Sequence, residues 1–260
     1  MGRTPFKFKQ FTVSHEVSSM PIGVDAVLLG CWADVNATKR ILDVGTGCGV
    51  IALICAQRAK SAHVHGIDTD ISSIQEAKTN FASSPWADRI TASKMSWGDL
   101  QDEKYDLIIS NPPYFKSGVT DLKSVRLKAR HIGTLSPETL LKESPKYLED
   151  KGRLAMVFPI RNLKDVISYC PSSMKITDLL IIRGRKDVSP KRILMEFTYF
   201  PDGNEVGNEI HVSSILQRIY NREWEKIEQD SPLTLLTLEE SIGVPTDRHR
   251  LLCRDFYLKF

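Results

Sequence analysis

Arg40-Ile41-Leu42-Asp43-Val44-Gly45-Thr46-Gly47-Cys48-Gly49 is a short apolar strand running straight into a glycine-rich turn. A helical pattern follows at once, with Val50, Ile51, Leu53, Ile54 and Ala56 as its apolar face. Glycines let backbone approach a ligand closely, and the helix N-terminus offers unpaired N–H groups to a carboxylate or phosphate. The order strand, turn, helix fits either a dinucleotide or S-adenosyl-L-methionine. The spacing Asp-x-Gly-x-Gly-x-Gly, with an acid on the strand end, departs from the dinucleotide Gly-x-Gly-x-x-Gly and favours the second ligand. Asp43 is then placed to receive the ammonium of a methionine moiety, with Gly45, Gly47 and Gly49 as the cradle.

A second strand, 63–68, ends in Asp68, where a carboxylate is the expected partner of vicinal ribose hydroxyls. Asp70 is expected to cap a helix over 71–81, with Ile74, Ala77, Lys78 and Phe81 marking its face. Further on, the apolar run 105–110 enters Asn111-Pro112-Pro113-Tyr114. Two successive prolines remove two backbone donors and hold φ near about −65°, leaving rigid carbonyls with no local N–H to satisfy them. The Asn111 amide adds a donor and an acceptor, and the Tyr114 ring adds a flat apolar face. Such a turn can grip an sp² amino nitrogen edge-on while holding its ring. In a doubly wound sheet the carboxyl ends of the strands share one edge, so the Gly45 turn, Asp68 and the Asn111 turn are expected to converge there.

The chain reads as α/β, a doubly wound and mostly parallel seven-stranded sheet with one antiparallel strand. The strands are expected at 40–43, 63–68, 90–93, 105–110, 153–158, 175–183 and 192–200, the last two joined as a hairpin through 184–190. Helices are expected at 25–32, with Asp25 as its cap near the glycine turn, at 136–149 opened by Ser136, at 162–169, at 210–227 and at 246–256. A Leu-rich stretch before the last of these has no clear period. The implied organisation is an N-terminal extension 1–38, a central domain 39–203 and a C-terminal helical appendage 204–260.

With 42% apolar and 26% charged residues in 260, the chain has the composition of a soluble globular protein. It has no apolar stretch of membrane-spanning length, and the start MGRTPFKFKQ lacks the apolar block of a secretory signal, so no membrane association and a cytoplasmic location are expected. Five cysteines without Cys-x-x-Cys spacing point to reduced thiols. His63 and His65 alternate on a strand with no third ligand following, so no metal is expected. The net charge of +3 is modest, but basic residues cluster at Lys116, Lys123, Arg126, Lys128, Arg130 and His131, and again at Arg183, Arg185, Lys186, Lys191 and Arg192. Phosphate binding needs such local patches more than a high total charge. The run Phe6-Lys7-Phe8-Lys9-Gln10-Phe11 alternates aromatic and basic residues, as an edge strand does, or an arm that stacks on a nucleic acid.

The run 43–49, Asp68 and the Asn111 turn resemble the class I S-adenosylmethionine-dependent methyltransferases that modify exocyclic or amide nitrogens. A closer resemblance rests on Phe8-Lys9-Gln10-Phe11-Thr12-Val13, Met20, Gly23, Asp25, Leu28-Leu29-Gly30, Trp32, Asn111-Pro112-Pro113-Tyr114-Phe115, Ala129-Arg130 and Phe256-Tyr257-Leu258-Lys259. Together these resemble the bacterial tRNA(Val) adenine-N6-methyltransferase family, over residues 6–200 and the last few positions. The resemblance implies methylation of the N6 amino group of the adenosine 3′ of the anticodon, with tRNA as the partner and no obligate protein partner. It implies catalytic roles for Asn111, Pro112, Pro113 and Tyr114, donor contacts for Asp25 and Asn111 beside those above, and RNA contacts for Tyr114, Phe115, Lys116, Arg126, Arg130, Lys9 and Phe8. Departures from the family pattern are Val24 and Ala26 flanking Asp25, where Thr and Gly are usual, Ser96 where an acid is common with Asp99 three residues later, and a long segment 207–244. The tetrapeptide reads an amino group and not a polymer, so ribosomal RNA or DNA adenine-N6 or guanine-N2 methylation stays open. Glutamine-N5 methylation of release factors is disfavoured by the short stretch before Asp43. A non-catalytic cofactor-binding RNA chaperone is disfavoured by the intact motif.

Overall fold

Apolar runs at regular intervals, each bounded by a turn, build the sheet in the computed structural model, which describes residues 3–18, 21–101, 103–113, 135–203, 209–231 and 234–259. In chain order the elements are β1 (Phe6–Lys7), β2 (Thr12–Val13), α1 (Val24–Trp32), β3 (Arg40–Val44), α2 (Val50–Arg58), β4 (His63–Asp68), α3 (Ile71–Ala82), β5 (Ile90–Lys94) and β6 (Tyr105–Ser110). They continue with α4 (Pro137–Glu143), β7 (Leu148–Pro159), α5 (Leu163–Ser168), β8 (Met174–Arg183), β9 (Arg192–Tyr199), α6 (Glu209–Tyr220), α7 (Trp224–Asp230), β10 (Leu235–Thr237), β11 (Glu239–Ser241), β12 (Val244–Pro245) and α8 (Asp247–Cys253). The main sheet has the order β10-β8-β9-β7-β6-β3-β4-β5, with β9 antiparallel to both neighbours and every other pairing parallel. Ile41, Val64, Leu107, Ile109 and Val157 are buried in one apolar cluster with residues of α1, α2 and α8, while Leu42, Val44, Ile108, Leu154 and Met156 are buried in a second with Leu140 of α4 and Ile215 of α6. Burial on both faces explains why these strands read as continuous apolar runs.

Several expectations need correction. An eighth strand, β10, is the Leu-rich stretch: Leu235 and Leu236 pair in parallel with Ile181 and Ile182. Three residues carry no period, and only the neighbouring strand makes them β. The helix opened by Ser136 stops at Glu143, with a 3₁₀ turn at Ser144–Lys146, because Pro145 has no N–H to donate to the preceding turn and so cannot continue the α-helical ladder. The following strand begins at Leu148 and runs through Gly152, longer than expected. The 210–227 helix is two, α6 and α7, parted where Arg222 takes a left-handed φ of 58°. Lys78 is exposed, and Ser73, Glu76 and Asn80 are buried on the inner face of α3 with Ile74, Ala77 and Phe81.

Both chain ends share the central core. Phe8, Phe11 and Val13 lie in one cluster with Leu53, Leu236 and Phe256. Phe8 bridges Tyr257, and the Lys9 amide donates to the Phe256 carbonyl at 2.8 Å.

Candidate active site

Register alone assembles the site. Val44 pairs with Ile67 on β4 and with Ser110 on β6, so Gly45, Asp68 and Asn111 are the next residues of three adjacent strands, at ~4.8 Å per strand. Ser110, fully buried, ties two of these ends by donating from Oγ to the Val44 carbonyl at 2.7 Å.

Asp43 is fully buried, 0% exposed. Its Oδ2 accepts from the Thr46 hydroxyl at 2.7 Å and from the Ala52 amide in the first turn of α2 at 3.1 Å. Its Oδ1 has no hydrogen-bond partner among the described residues. Burial pushes the carboxyl up to about 7, against the pull of the Thr46 and Ala52 hydrogen bonds and with help from the nearby Asp68 charge. A buried acceptor without a donor is costly, and a cationic ligand at Oδ1 removes that cost.

The three glycines of the turn all adopt left-handed backbone, with φ of 73°, 55° and 86° at Gly45, Gly47 and Gly49, but they differ in what surrounds them. A Cβ on Gly47 would meet nothing within 4 Å among the described residues, so none of them closes over this position. On Gly49 it would lie 2.3 Å from the Phe81 ring, so this glycine serves the packing of α3 on α2. Thr46 in turn needs Gly66 opposite, where a Cβ would fall 2.7 Å from the Thr46 hydroxyl. Neither Thr46 nor Gly66 is marked by the motif spacing as a contributor; the signal lies in tertiary contact.

Asp68 is half-buried and accepts from the Gly47 amide at 3.0 Å and the Asp70 amide at 2.9 Å, one on each oxygen. Each oxygen keeps a lone pair for a ribose hydroxyl. Asp70 caps α3 through the Ser72 and Ser73 amides, and the Ser73 hydroxyl holds its carboxyl below the usual range. Asn111 is half-buried, Pro112 buried and Pro113 exposed. Tyr114, Phe115, Lys116, Arg126 and Arg130 lie outside the described residues, as do Lys123, Lys128 and His131.

Other expected residues have different employment. Asp25 is not a cap; Gly23 holds that position, and the Asp25 carboxylate takes the Arg192 Nε of β9 at 2.7 Å. Asp99 accepts from the Ser96 hydroxyl at 2.6 Å and so closes its own turn. Phe8 is 4% exposed, stacked between Phe11 and Tyr257, so its ring is a core contact and offers no open face to a base. Lys9 stays exposed, with its ammonium on the Arg254 carbonyl. Within the second basic cluster Arg183 pairs with Glu228, Arg185 with Asp187 and Arg192 with Asp25, while Lys186 and Lys191 are exposed. Among the described residues no group of His, Cys, Asp and Glu could hold a metal, and no helix is long and apolar enough to cross a membrane.

A buried carboxylate oxygen with no partner among the described residues, a half-buried carboxylate one strand away and a glycine that none of those residues covers suit a ligand bearing a cation, a diol and a bulky body. S-adenosylmethionine has all three. Residues 24–165 match the family described as methyltransferase small domain, and the chain is an S-adenosylmethionine-dependent methyltransferase. More narrowly, it belongs to the tRNA1(Val) (adenine(37)-N6)-methyltransferase family. It is 38% identical to the Parabacteroides distasonis member over 88% of this chain and 98% of that one. The Bacteroides fragilis member is 35% identical over the full length of both chains. Among solved structures, a protein of Agrobacterium tumefaciens described as a predicted O-methyltransferase shares the fold at a TM-score of 0.61 and 18% identity, over 89% of this chain and 96% of that one.

Proposed function

We propose that the chain transfers the methyl group of S-adenosylmethionine to the N6 amino group of adenosine 37 in tRNA1(Val), the reaction its relatives are named for. The observation that carries this reading is that Asp43 Oδ1 has no partner and Gly47 no covering neighbour among the described residues, both in the turn one strand from Asn111-Pro112-Pro113. When bound, the donor supplies an electrophilic methyl on a sulfonium. Asp43 accepts the donor's ammonium and Asp68 its ribose hydroxyls. The Asn111 side chain and the Pro112 carbonyl accept hydrogen bonds from the adenine amino group, which keeps its lone pair out of ring conjugation and aimed at the methyl. Neither Pro112 nor Pro113 has an N–H, so the turn presents no competing donor to that nitrogen. Tyr114 stacks on the base once it leaves its own stack. Positioning then accounts for the catalysis, with no nucleophile from the protein. Lys116, Arg126 and Arg130, close after the turn in sequence, carry the backbone phosphates.

Labelled S-adenosylmethionine offered with total tRNA, ribosomal RNA and protein from a strain lacking the gene tests the assignment. Label is expected in tRNA at adenosine 37. Label in ribosomal RNA or protein, with none in tRNA, would overturn the substrate and leave the chemistry. Asn111→Ala is expected to lower transfer ~1,000-fold or more with little change in donor affinity; parallel loss of both would place Asn111 in the donor site instead.

A further inference from the structure

Glu76 is a carboxylate in the middle of α3 that is 7% exposed, and its partners are three successive backbone amides of another segment. Oε1 accepts from Glu16 at 2.6 Å and Val17 at 3.2 Å, and Oε2 accepts from Ser18 at 3.0 Å. Successive N–H groups turned to one anion form a concave nest, here filled by the protein's own side chain. One helical turn on, Asn80, 4% exposed, takes the Ser14 amide on Oδ1 at 2.9 Å and donates from Nδ2 to the Ser14 and Cys48 carbonyls, both at 2.8 Å. Cys48 belongs to the glycine turn itself. The stretch 14–18 is therefore lashed along α3 and tied through Asn80 to the turn whose Gly47 none of the described residues covers, upstream of α1 and Asp25.

We infer that Glu76 is a positioning residue for the methyl donor: with Asn80 it fixes segment 14–18 as a strap beside the glycine turn, so that this wall of the donor site is formed before the donor arrives. The inference rests on the donor reading of that turn. Charge-assisted hydrogen bonds to backbone amides are among the stronger ones, and a three-point hold removes the cost of ordering the strap at binding. The four-residue spacing of Glu76 and Asn80 sets both on one face. A sequence reading counts Glu76 as an exposed polar position, because burial of a lone carboxylate is the exception.

Hydrogen exchange on the wild-type protein, with and without S-adenosylmethionine, is the first measurement. The amides of Glu16, Val17 and Ser18 are expected to be protected in the free protein and more so with donor. Glu76→Gln replaces one acceptor oxygen by an amide NH2 group facing N–H donors. It is expected to free these amides and to raise the donor Kd by about tenfold or more, with a matching rise in the donor KM and none in the RNA KM. Freed amides with unchanged donor affinity would overturn the inference, and so would amides that stay protected. Should Glu76→Gln not fold, Val17→Pro deletes one donor at a position 61% exposed and is read in the same way. A wild-type protein that binds no donor would instead overturn the proposed function.

Discussion

Two buried carboxylates occupy one row of the sheet and have opposite fates. Asp43 on β3 pairs with Ile109, Ile109 with Ala155 and Ala155 with Glu196 on β9, so the two acids stand three strands apart, roughly 14 Å. Burial pushes both up to about 7. Glu196 sits where the protein supplies a cation: the Arg153 charge draws its carboxyl down, the Asp34 backbone hydrogen-bonds it, and Arg153 holds the Asp34 carboxylate at 2.5 Å. At Asp43 hydroxyl and amide donors fill one oxygen, and the other faces no donor among the described residues. A displaced titration therefore does not mark a site by itself. What marks Asp43 is an oxygen without a described partner, in a turn whose Gly47 no described residue covers.

The sharpest way to break this comparison is to neutralise each acid in turn. Asp43→Asn is expected to weaken S-adenosylmethionine binding ~100-fold, by loss of the charge partner of an ammonium, whereas Glu196→Gln leaves it within about twofold. Both should raise the Tm of the free protein at pH 8 by about 3–6 °C, since each removes a buried charge. Calorimetric titration and thermal melts decide it; a Glu196→Gln protein that loses donor affinity would make the two sites equivalent.

Glycine substitutions come next in size. Gly49→Ala drives a Cβ into Phe81 and is expected to cost folding, ~3 kcal/mol or more. Gly47→Ala keeps the fold with only the ~1–2 kcal/mol strain of left-handed backbone, yet lowers donor affinity about tenfold by intruding on the ligand's space. Melts and donor titrations that rank the two variants alike would remove the distinction between the packing glycine and the open one.

Titration gives a third test. The folded Asp43 carboxyl holds its proton up to about 7 against 3.8 ordinarily, so between these values the folded state binds more protons than the unfolded one. Stability of the free protein from this group is then lost as pH rises through that window. A bound ammonium favours the ionised form, so donor affinity should climb as pH rises towards 7, with proton release seen as heats that differ between buffers of unlike ionisation enthalpy. Flat affinity from pH 6 to 8 would remove Asp43 as the cation's partner. The smallest effect is expected at Thr46. Thr46→Val deletes one hydrogen bond to Oδ2 and should weaken donor binding about fivefold, with Thr46→Ser restoring it; a Ser variant as weak as Val would show that the methyl packing against Gly66 matters and not the hydroxyl.

Residues close in sequence made the candidate donor site legible. Asp43, Gly45, Gly47 and Asp68 could be named because strand, turn and helix follow one another locally, and chain order alone sets strand ends along one edge. Phe8 misleads for the opposite reason: its alternation with lysines is that of an arm, but Phe11 and Tyr257 close over its ring, and Tyr257 is far away in sequence. The same holds for Arg183 and Arg192, whose acidic partners come from α7 and α1.

The sequence by itself determined the doubly wound sheet, the glycine turn after β3 and the Asn-Pro-Pro turn after β6, because each depends on a spacing of a few residues and on the backbone limits of glycine and proline. Tertiary structure alone decided which acid keeps an oxygen without a partner and which glycine stays uncovered among the described residues, that residues 235–237 become β10, and that Glu76 and Asn80 tie residues 14–18 along α3. Those outcomes depend on which groups from distant parts of the chain arrive to fill a valence or a volume, and no local pattern encodes an arrival.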